Sequence, residues 1–262
     1  RAAMAEHLDP TAPLIAETGG LNPMLVDSTA LPEQAVRDIL SSAFQSAGQR
    51  CSALRVLFAQ EEIADDLAHM LAGAMDLIRL GDPWTTETDV GPVIDEAARR
   101  ILVDHAARMD KDARLIKAVE VPAALSGGTF FGPRLYEIAG LDSLKREVFG
   151  PVLHLVRFKA ADLPRVVKQI NATGYGLTFG VHSRLEGRAQ ELFRTNVCGN
   201  TYVNRNMIGA VVGVQPFGGQ GLSGTGPKAG GPHYLLRFAT EKTLTVNTTA
   251  FGGNASLLEL GG

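Results

Sequence analysis

The strongest constraint on this chain is the way two hydrophobic periods take turns along it. PVLHLVRF (151–158), LTFGVHS (177–183) and GNTYVN (199–204) are short apolar runs rich in β-branched and aromatic residues. ADLPRVVKQIN (161–171) and RLEGRAQELFRT (184–195) lie between them, with apolar residues three and four apart. Runs of the first kind read as buried strands and those of the second as amphipathic helices. Strands that are apolar on both sides need helices on both faces, so the alternation predicts an α/β fold with a largely parallel sheet. The pattern extends upstream. Residues 31–47 follow helical spacing, with Pro32 suited to a first turn and Gly48 to a C-terminal stop. RVLFA (55–59) reads as a strand, 61–78 as a long helix broken by GDPW, 95–109 as a helix and 113–119 as a strand. Leu14–Ala16 and Met24–Val26 read as two strands split by the turn signal ETGGLNP. TEKTLTVNTT (240–249) alternates weakly and reads as an edge strand, with NASLLELGG trailing along a surface.

At 262 residues and 45% hydrophobic content, the chain can bury one large core or two small ones. A net charge of −3 without a basic block argues against an electrostatic grip on nucleic acid. No apolar run approaches the roughly 20 residues that span a bilayer. The opening RAAMAEHLDPTAP has no apolar stretch of the signal-peptide kind. Two cysteines, Cys51 and Cys198, with no C-x-x-C, give no disulfide framework and fit a reducing cytoplasm. RAAMAEHL reads as the end of a helix with no initiator methionine before it, so the expectation is a piece of a longer protein.

Several motif matches fail on context. GQGLSG (219–224) matches a dinucleotide fingerprint by letter, but PFGG precedes it and TGPKAGGP follows. The mechanism requires a strand before and a helix after, so an irregular glycine loop is expected instead. The six histidines are scattered without ligand spacing, which argues against a metal. His154 reads as a hydrogen-bonded structural residue, and Cys198 as a structural cysteine at the start of an apolar strand. Cys51, in GQRCSALR (48–55), stands at a polar helix-to-strand junction. A thiolate forms where backbone N–H groups and a nearby cation lower its pKa, and this junction is expected to supply such a setting. Glu17, in AETGG, reads as a carboxylate at a strand end, costly there unless it has a partner or a task. A thiol nucleophile with a carboxylate base suits acyl chemistry.

ETGGLNP (17–23), GQRCSA (48–53), EVFGPV (147–152) and PFGGQGLSGTG (216–226) occur in one order along the chain. Together they resemble the aldehyde dehydrogenase superfamily over about residues 10 to 245. GPKAGGPHYLLRF (226–238) and NTTAFGGNASLL (247–258) resemble, more narrowly, the dehydrogenase halves of the bacterial proline utilization A family. The resemblance implies NAD-dependent oxidation of L-glutamate γ-semialdehyde to glutamate. It casts Cys51 as nucleophile and Glu17 as the base for thioester hydrolysis. Glu147 and Phe149 would hold the nicotinamide-side ribose. Ser52, Gly230 and Gly231 would anchor the substrate's α-carboxylate, with Phe238 lining the pocket. It implies a remnant of the NAD-binding domain over 1–49, a catalytic domain over 50–232 and a connecting, oligomerising strand and tail over 233–262. A homo-oligomer is expected, as is a flavin-dependent proline dehydrogenase unit in the parent protein, with no nucleic-acid or membrane partner for this segment. The competing expectation is a dehydrogenase-like structural module that is inactive in isolation.

Overall fold

The structure, a computed structural model, describes residues 6–9, 12–211 and 213–247. Its centre is a seven-stranded sheet. The strands are β1 (Pro23–Val26), β2 (Val56–Gln60), β3 (Arg114–Ala118), β4 (Arg134–Glu137), β5 (Val152–Phe158), β7 (Thr178–His182) and β8 (Asn200–Val203). Their spatial order is β3-β4-β5-β2-β1-β7-β8. Every neighbouring pair is parallel except β3 with β4. A second, two-stranded sheet pairs β6 (Tyr175–Gly176) with β9 (Gln220–Gly221).

The helices form where the sequence sets an apolar stripe between stop signals. In α1 (Pro32–Phe44), proline occupies the first turn, and Ala35, Val36, Ile39, Ala43 and Phe44 are buried. The second helix, α2 (Glu61–Met75), buries Ala64, Leu67, Ala68, Leu71 and Met75. In α3 (Glu96–Asp112), the Asp95 side chain caps the first turn by accepting from the Ala98 N–H at 2.7 Å. Leu163, Val166, Val167 and Ile170 of α4 (Leu163–Ala172) repeat at helical spacing and are all buried. α5 (Glu186–Thr195) buries Ala189 and Leu192. No described helix is long and apolar enough to cross a membrane.

Several expectations are corrected. Leu14–Ala16 forms no strand. Its backbone is satisfied by the 222–225 loop instead: the Ala16 N–H donates to Thr225 Oγ1 at 2.9 Å, and the Thr225 N–H donates to Ala16 O at 3.0 Å. β1 lies between β2 and β7 and α1 packs on the same core, so residues 23–44 belong to the sheet that the later strands build. The expected edge strand in the tail does not form over 240–247, where Leu244 and Val246 are exposed; only a short 3-10 turn, Leu235–Phe238, precedes it. The remaining tail, 248–262, and most of the N-terminal helix end lie outside the described residues. β4 was not anticipated. It is four residues long, but Leu135 and Tyr136 are fully buried between β3 and β5.

Candidate active site

Open parallel sheets usually present ligand sites at the carboxyl ends of their strands. Here the candidate residues gather at the amino ends. Glu17 to Asn22 precede β1, Gly48 to Arg55 precede β2, Glu147 to Gly150 precede β5, and Leu177 precedes β7. In a parallel βαβ unit, the helix C-termini return to this edge, and their dipoles present partial negative charge. A thiolate here gains nothing from a helix N-terminus and needs a cation.

The nucleophile loop begins with a sharp reversal. Ser46, Ala47 and Gly48 all have positive φ, at 57°, 53° and 64°. Two of these are non-glycine residues in the left-handed region, a strained arrangement that the surroundings must hold in place. Gly48 is required on two counts. Its φ suits glycine, and a Cβ there would stand 2.3 Å from the Gly150 carbonyl oxygen. The Ala53 N–H then donates to Arg50 O at 3.0 Å, closing a turn around Cys51.

Asn22 fixes that turn from the β1 side. Its buried side chain donates to the carbonyls of Cys51 at 2.6 Å and Ala53 at 2.9 Å, and accepts from the Thr178 N–H at 3.3 Å. Arg55 fixes it from below. Its side chain is 1% exposed, and its guanidinium contacts Glu147 Oε1 through Nε (3.2 Å) and Nη2 (3.1 Å). The same group reaches the carbonyls of Gly48 (2.7 Å), Gly150 (3.2 Å) and Arg50 (3.2 Å). That is one contact for each N–H the group carries. The Phe149 ring covers the cation, 5.1 Å from Cζ to the ring centroid. The other Glu147 oxygen, Oε2, accepts from the Gly20 N–H at 3.1 Å. Gly19 makes room for it, since a Cβ there would lie 1.6 Å from Glu147 Oε2.

Glu17 does not sit at the end of a buried strand, contrary to expectation. It is exposed, in an irregular segment that bridges to Gly224. The glycine-rich loop holds it there: the Thr18 N–H donates to Ser223 O at 3.2 Å, and the Thr18 hydroxyl donates to Leu222 O. Gly224 permits the approach, as a Cβ there would stand 2.8 Å from Gly219 O. A cleft of about 600 Å³ collects Glu17, Thr18, Gly19, Cys51, Glu147, Phe149, Leu177 and Phe217. The structure therefore brings together Glu17, Cys51, Glu147 and Phe149.

The ionisation of Cys51 runs against the expected lowering. Burial of the sulfur raises its pKa, backbone N–H groups of Ser52 and Cys51 lower it, and the charges of Glu17 and Glu147 raise it further. The net direction is upward, and burial is the largest cause. Cys198 stands apart, with burial alone pushing its thiol up to about 12.

The expected carboxylate anchor is not gathered on the cleft. Ser52 is buried, and its carbonyl accepts from the Thr178 hydroxyl at 3.3 Å. Gly230 has φ +70° and is exposed. The Gly231 N–H closes a turn onto Lys228 O at 3.1 Å, which takes up one of the consecutive donors an anion nest would use. Phe238 is 58% exposed, packs edge-to-face on Tyr234 at 5.6 Å and is not among the residues that line the cleft. The link to the cleft is Phe217, whose backbone bridges Ala229 in both directions (3.0 and 2.8 Å). Sequence reasoning missed Asn22 and Arg55. Asn22 was hidden inside a turn signal, and Arg55 read as the polar start of an apolar strand.

The profile of the aldehyde dehydrogenase family matches residues 2–244. The chain is 54% identical over 247 residues to the bifunctional protein PutA of Klebsiella aerogenes, an alignment covering 91% of this chain and 19% of that protein. It is 35% identical to a 1-pyrroline-5-carboxylate dehydrogenase of Geobacillus, covering 88% of this chain and 45% of the relative. A crystal structure of bifunctional proline utilization A superposes with a TM-score of 0.91 at 56% identity, over 96% of this chain and 25% of that one. A Thermus 1-pyrroline-5-carboxylate dehydrogenase with bound NAD superposes with a TM-score of 0.77 at 33% identity, over 86% of this chain and 43% of that one. The chain thus spans about a fifth of the bifunctional relative and under half of the shorter one. With the profile matching nearly end to end, the chain belongs to the aldehyde dehydrogenase family.

Proposed function

We propose that this chain carries the nucleophile and the hydrolytic base for NAD-dependent oxidation of L-glutamate γ-semialdehyde to L-glutamate, a step of proline catabolism. The observation that carries the reading is the single cleft shared by Cys51, Glu17, Glu147 and Phe149. The printed names of the relatives support the substrate class, and the NAD-bound relative supports the cofactor.

The Cys51 sulfur, once deprotonated, adds to the aldehyde carbon, and the carbonyl electron pair moves to oxygen, giving a thiohemiacetal. Bound NAD supplies the hydride acceptor that turns this adduct into a thioester. Glu17 faces the same cleft and is open to water. It takes a proton from a water molecule whose oxygen attacks the acyl carbon; the C–S bond breaks, and the electron pair returns to Cys51. Glu147 and Phe149 fit the cofactor's ribose end. The carboxylate keeps acceptor capacity beyond its bonds to Arg55 and Gly20, and the Phe149 ring is 43% exposed at the cleft.

The α-carboxylate anchor is assigned to Ser52, Gly230 and Gly231, with Phe238 beside them. The bridge between Phe217 and Ala229 supports this, because it ties the 230–231 turn to a cleft wall. In the complete protein we expect a flavin-dependent proline dehydrogenase unit, a homo-oligomer and a cytoplasmic setting. The test is NADH formation by the complete protein with the semialdehyde and with an aldehyde of equal length lacking the carboxylate. A preference of a hundredfold or more, on the order of two charge-assisted hydrogen bonds, is expected. Equal efficiencies would overturn the substrate assignment, and no NADH formation with either aldehyde would overturn the activity.

A further inference from the structure

We infer that Arg55 is a positioning residue for the nucleophile, and that its pairing with Glu147 governs the readiness of Cys51 to ionise. The inference rests on the reading of Cys51 as nucleophile, and goes beyond it to a group that touches neither substrate nor cofactor.

A fully buried guanidinium is costly unless every donor finds an acceptor. Arg55 meets that condition using atoms from both sides of the cleft. On the nucleophile side it holds the carbonyls of Gly48 and Arg50, which flank the strained turn leading into Cys51. On the other side it holds Glu147 and the Gly150 carbonyl. A single side chain therefore sets the separation of the two loops. Lysine, with fewer donors and no planar fork, cannot replace it.

The same arrangement determines the charge that the thiol meets. The groups facing Cys51 come from several elements. Glu17 lies ahead of β1, Glu147 ahead of β5, Arg55 at the start of β2 and Tyr202 on β8, while Arg50 is its neighbour in sequence. Arg50 is turned onto Ser46, its Nε donating to Oγ at 3.1 Å. With Glu147 paired to Arg55, the buried cation is neutralised and the carboxylate of Glu17 is left as the unmatched charge on the cleft. Burial already raises the sulfur's pKa, and the two carboxylates add to that rise. A partner that draws Glu147 away from Arg55 leaves an unneutralised cation under the turn that carries Cys51 and favours the thiolate. Phe149 lies over the cation and beside Glu147, so whatever occupies the cleft at that point bears on both members of the pair.

The test is the pH dependence of Cys51 alkylation by iodoacetamide in the complete protein, followed by peptide mass spectrometry without NAD or aldehyde. Cys198, half-buried and poorly acidic, is the internal reference. E147Q removes a negative charge and unpairs the cation, so the alkylation midpoint should fall, by on the order of one pH unit or a tenfold change in thiolate. R55Q removes the cation and should raise the midpoint. Because R55Q alone leaves Glu147 without its partner and can fail to fold, the double variant R55Q/E147Q serves as the second arm, with an expected midpoint between those of the single variants. R55K should not restore the wild-type midpoint. Simple loosening of the loop would move all variants in one direction. Shifts of the same sign in E147Q and R55Q, or an E147Q midpoint at or above wild type, would overturn the inference. Because alkylation needs no turnover, failure here is distinct from failure of the dehydrogenase assignment.

Discussion

The turn around Cys51 and the glycine-rich stretch from Pro216 to Phe238 carry two of the motifs on which the family resemblance rests, yet they are built differently. The Cys51 turn is fastened by buried side chains: Asn22 above, Arg55 below and Gly48 behind. The glycine stretch is fastened mostly by its own backbone. Phe217 bridges Ala229, Gly231 closes onto Lys228, and Lys228 reaches Gly199 O with its ammonium group. It meets the cleft directly at Phe217 and indirectly through residues 222–225, which hold the segment bearing Glu17. A side-chain network defines one geometry, whereas a glycine loop shapes a surface whose final form depends on what it meets. The chemistry is accordingly expected to be intolerant of change at the first region and graded at the second.

The largest effect should come from the two cysteines. C51A should abolish NADH formation by the complete protein, while C198A should leave it within a factor of about two, since Cys198 is partly buried and packs against the core. Equal losses in steady-state rate would erase the distinction between a reactive and a structural thiol. Next comes the fastening of the turn. N22A leaves the carbonyls of Cys51 and Ala53 without their donor inside the fold. It should cost about 1–3 kcal/mol in urea unfolding, with a larger proportional loss in Cys51 alkylation rate than in stability. An unchanged midpoint and rate would show that the turn holds itself.

A pH effect separates the cleft from the core behind it. His154 Nδ1 donates to Arg55 O at 3.0 Å, and its Nε2 lies 2.9 Å from His105 Nε2. Burial pushes His105 down to about 4 and His154 down to about 3. Both are therefore neutral in the fold, while the unfolded chain takes up protons below its ordinary histidine pKa. Stability is full above that pKa and falls as pH drops toward 4. Thermal melting should show a loss on the order of 5 °C between pH 7 and pH 5, reduced in H105Q. A flat profile would mean that the pair is charged or solvated. The smallest effects belong to the proposed carboxylate anchor. S52A and F238A should raise KM for the carboxylate-bearing aldehyde severalfold with little change in kcat, with G231A between these and the cleft variants. A collapse of kcat in F238A would place that ring in the chemistry rather than at its margin.

Much of this fold is visible in the sequence because the apolar periods are strong. Met24–Val26, RVLFA and LTFGVHS mark the central strands, and Leu163, Val166, Val167 and Ile170 mark a helix by their spacing. The failures have physical causes. Leu14–Ala16 has the composition of a strand but no sheet neighbour, since the glycine loop satisfies its backbone. β4 is too short to show a period. In the site, Cys51 and Glu17 were legible from residue type and context. Asn22 and Arg55 were not, because their roles depend on contacts that reach as far as 156 and 95 positions along the chain. The direction of the Cys51 shift was hidden for the same reason, as it depends on how the fold buries the sulfur and on the carboxylates of Glu17 and Glu147.

The central claim is that Cys51 carries the acyl group and Glu17 directs water to remove it. The most direct measurement is the mass of the Cys51 peptide from E17Q protein quenched after mixing with NAD and the semialdehyde. The account predicts that the Cys51 peptide gains one glutamyl group, which accumulates in E17Q and is absent from wild type at steady state because hydrolysis clears it. An unmodified Cys51 in E17Q during a measurable burst of NADH, or the same adduct on another residue, would contradict it.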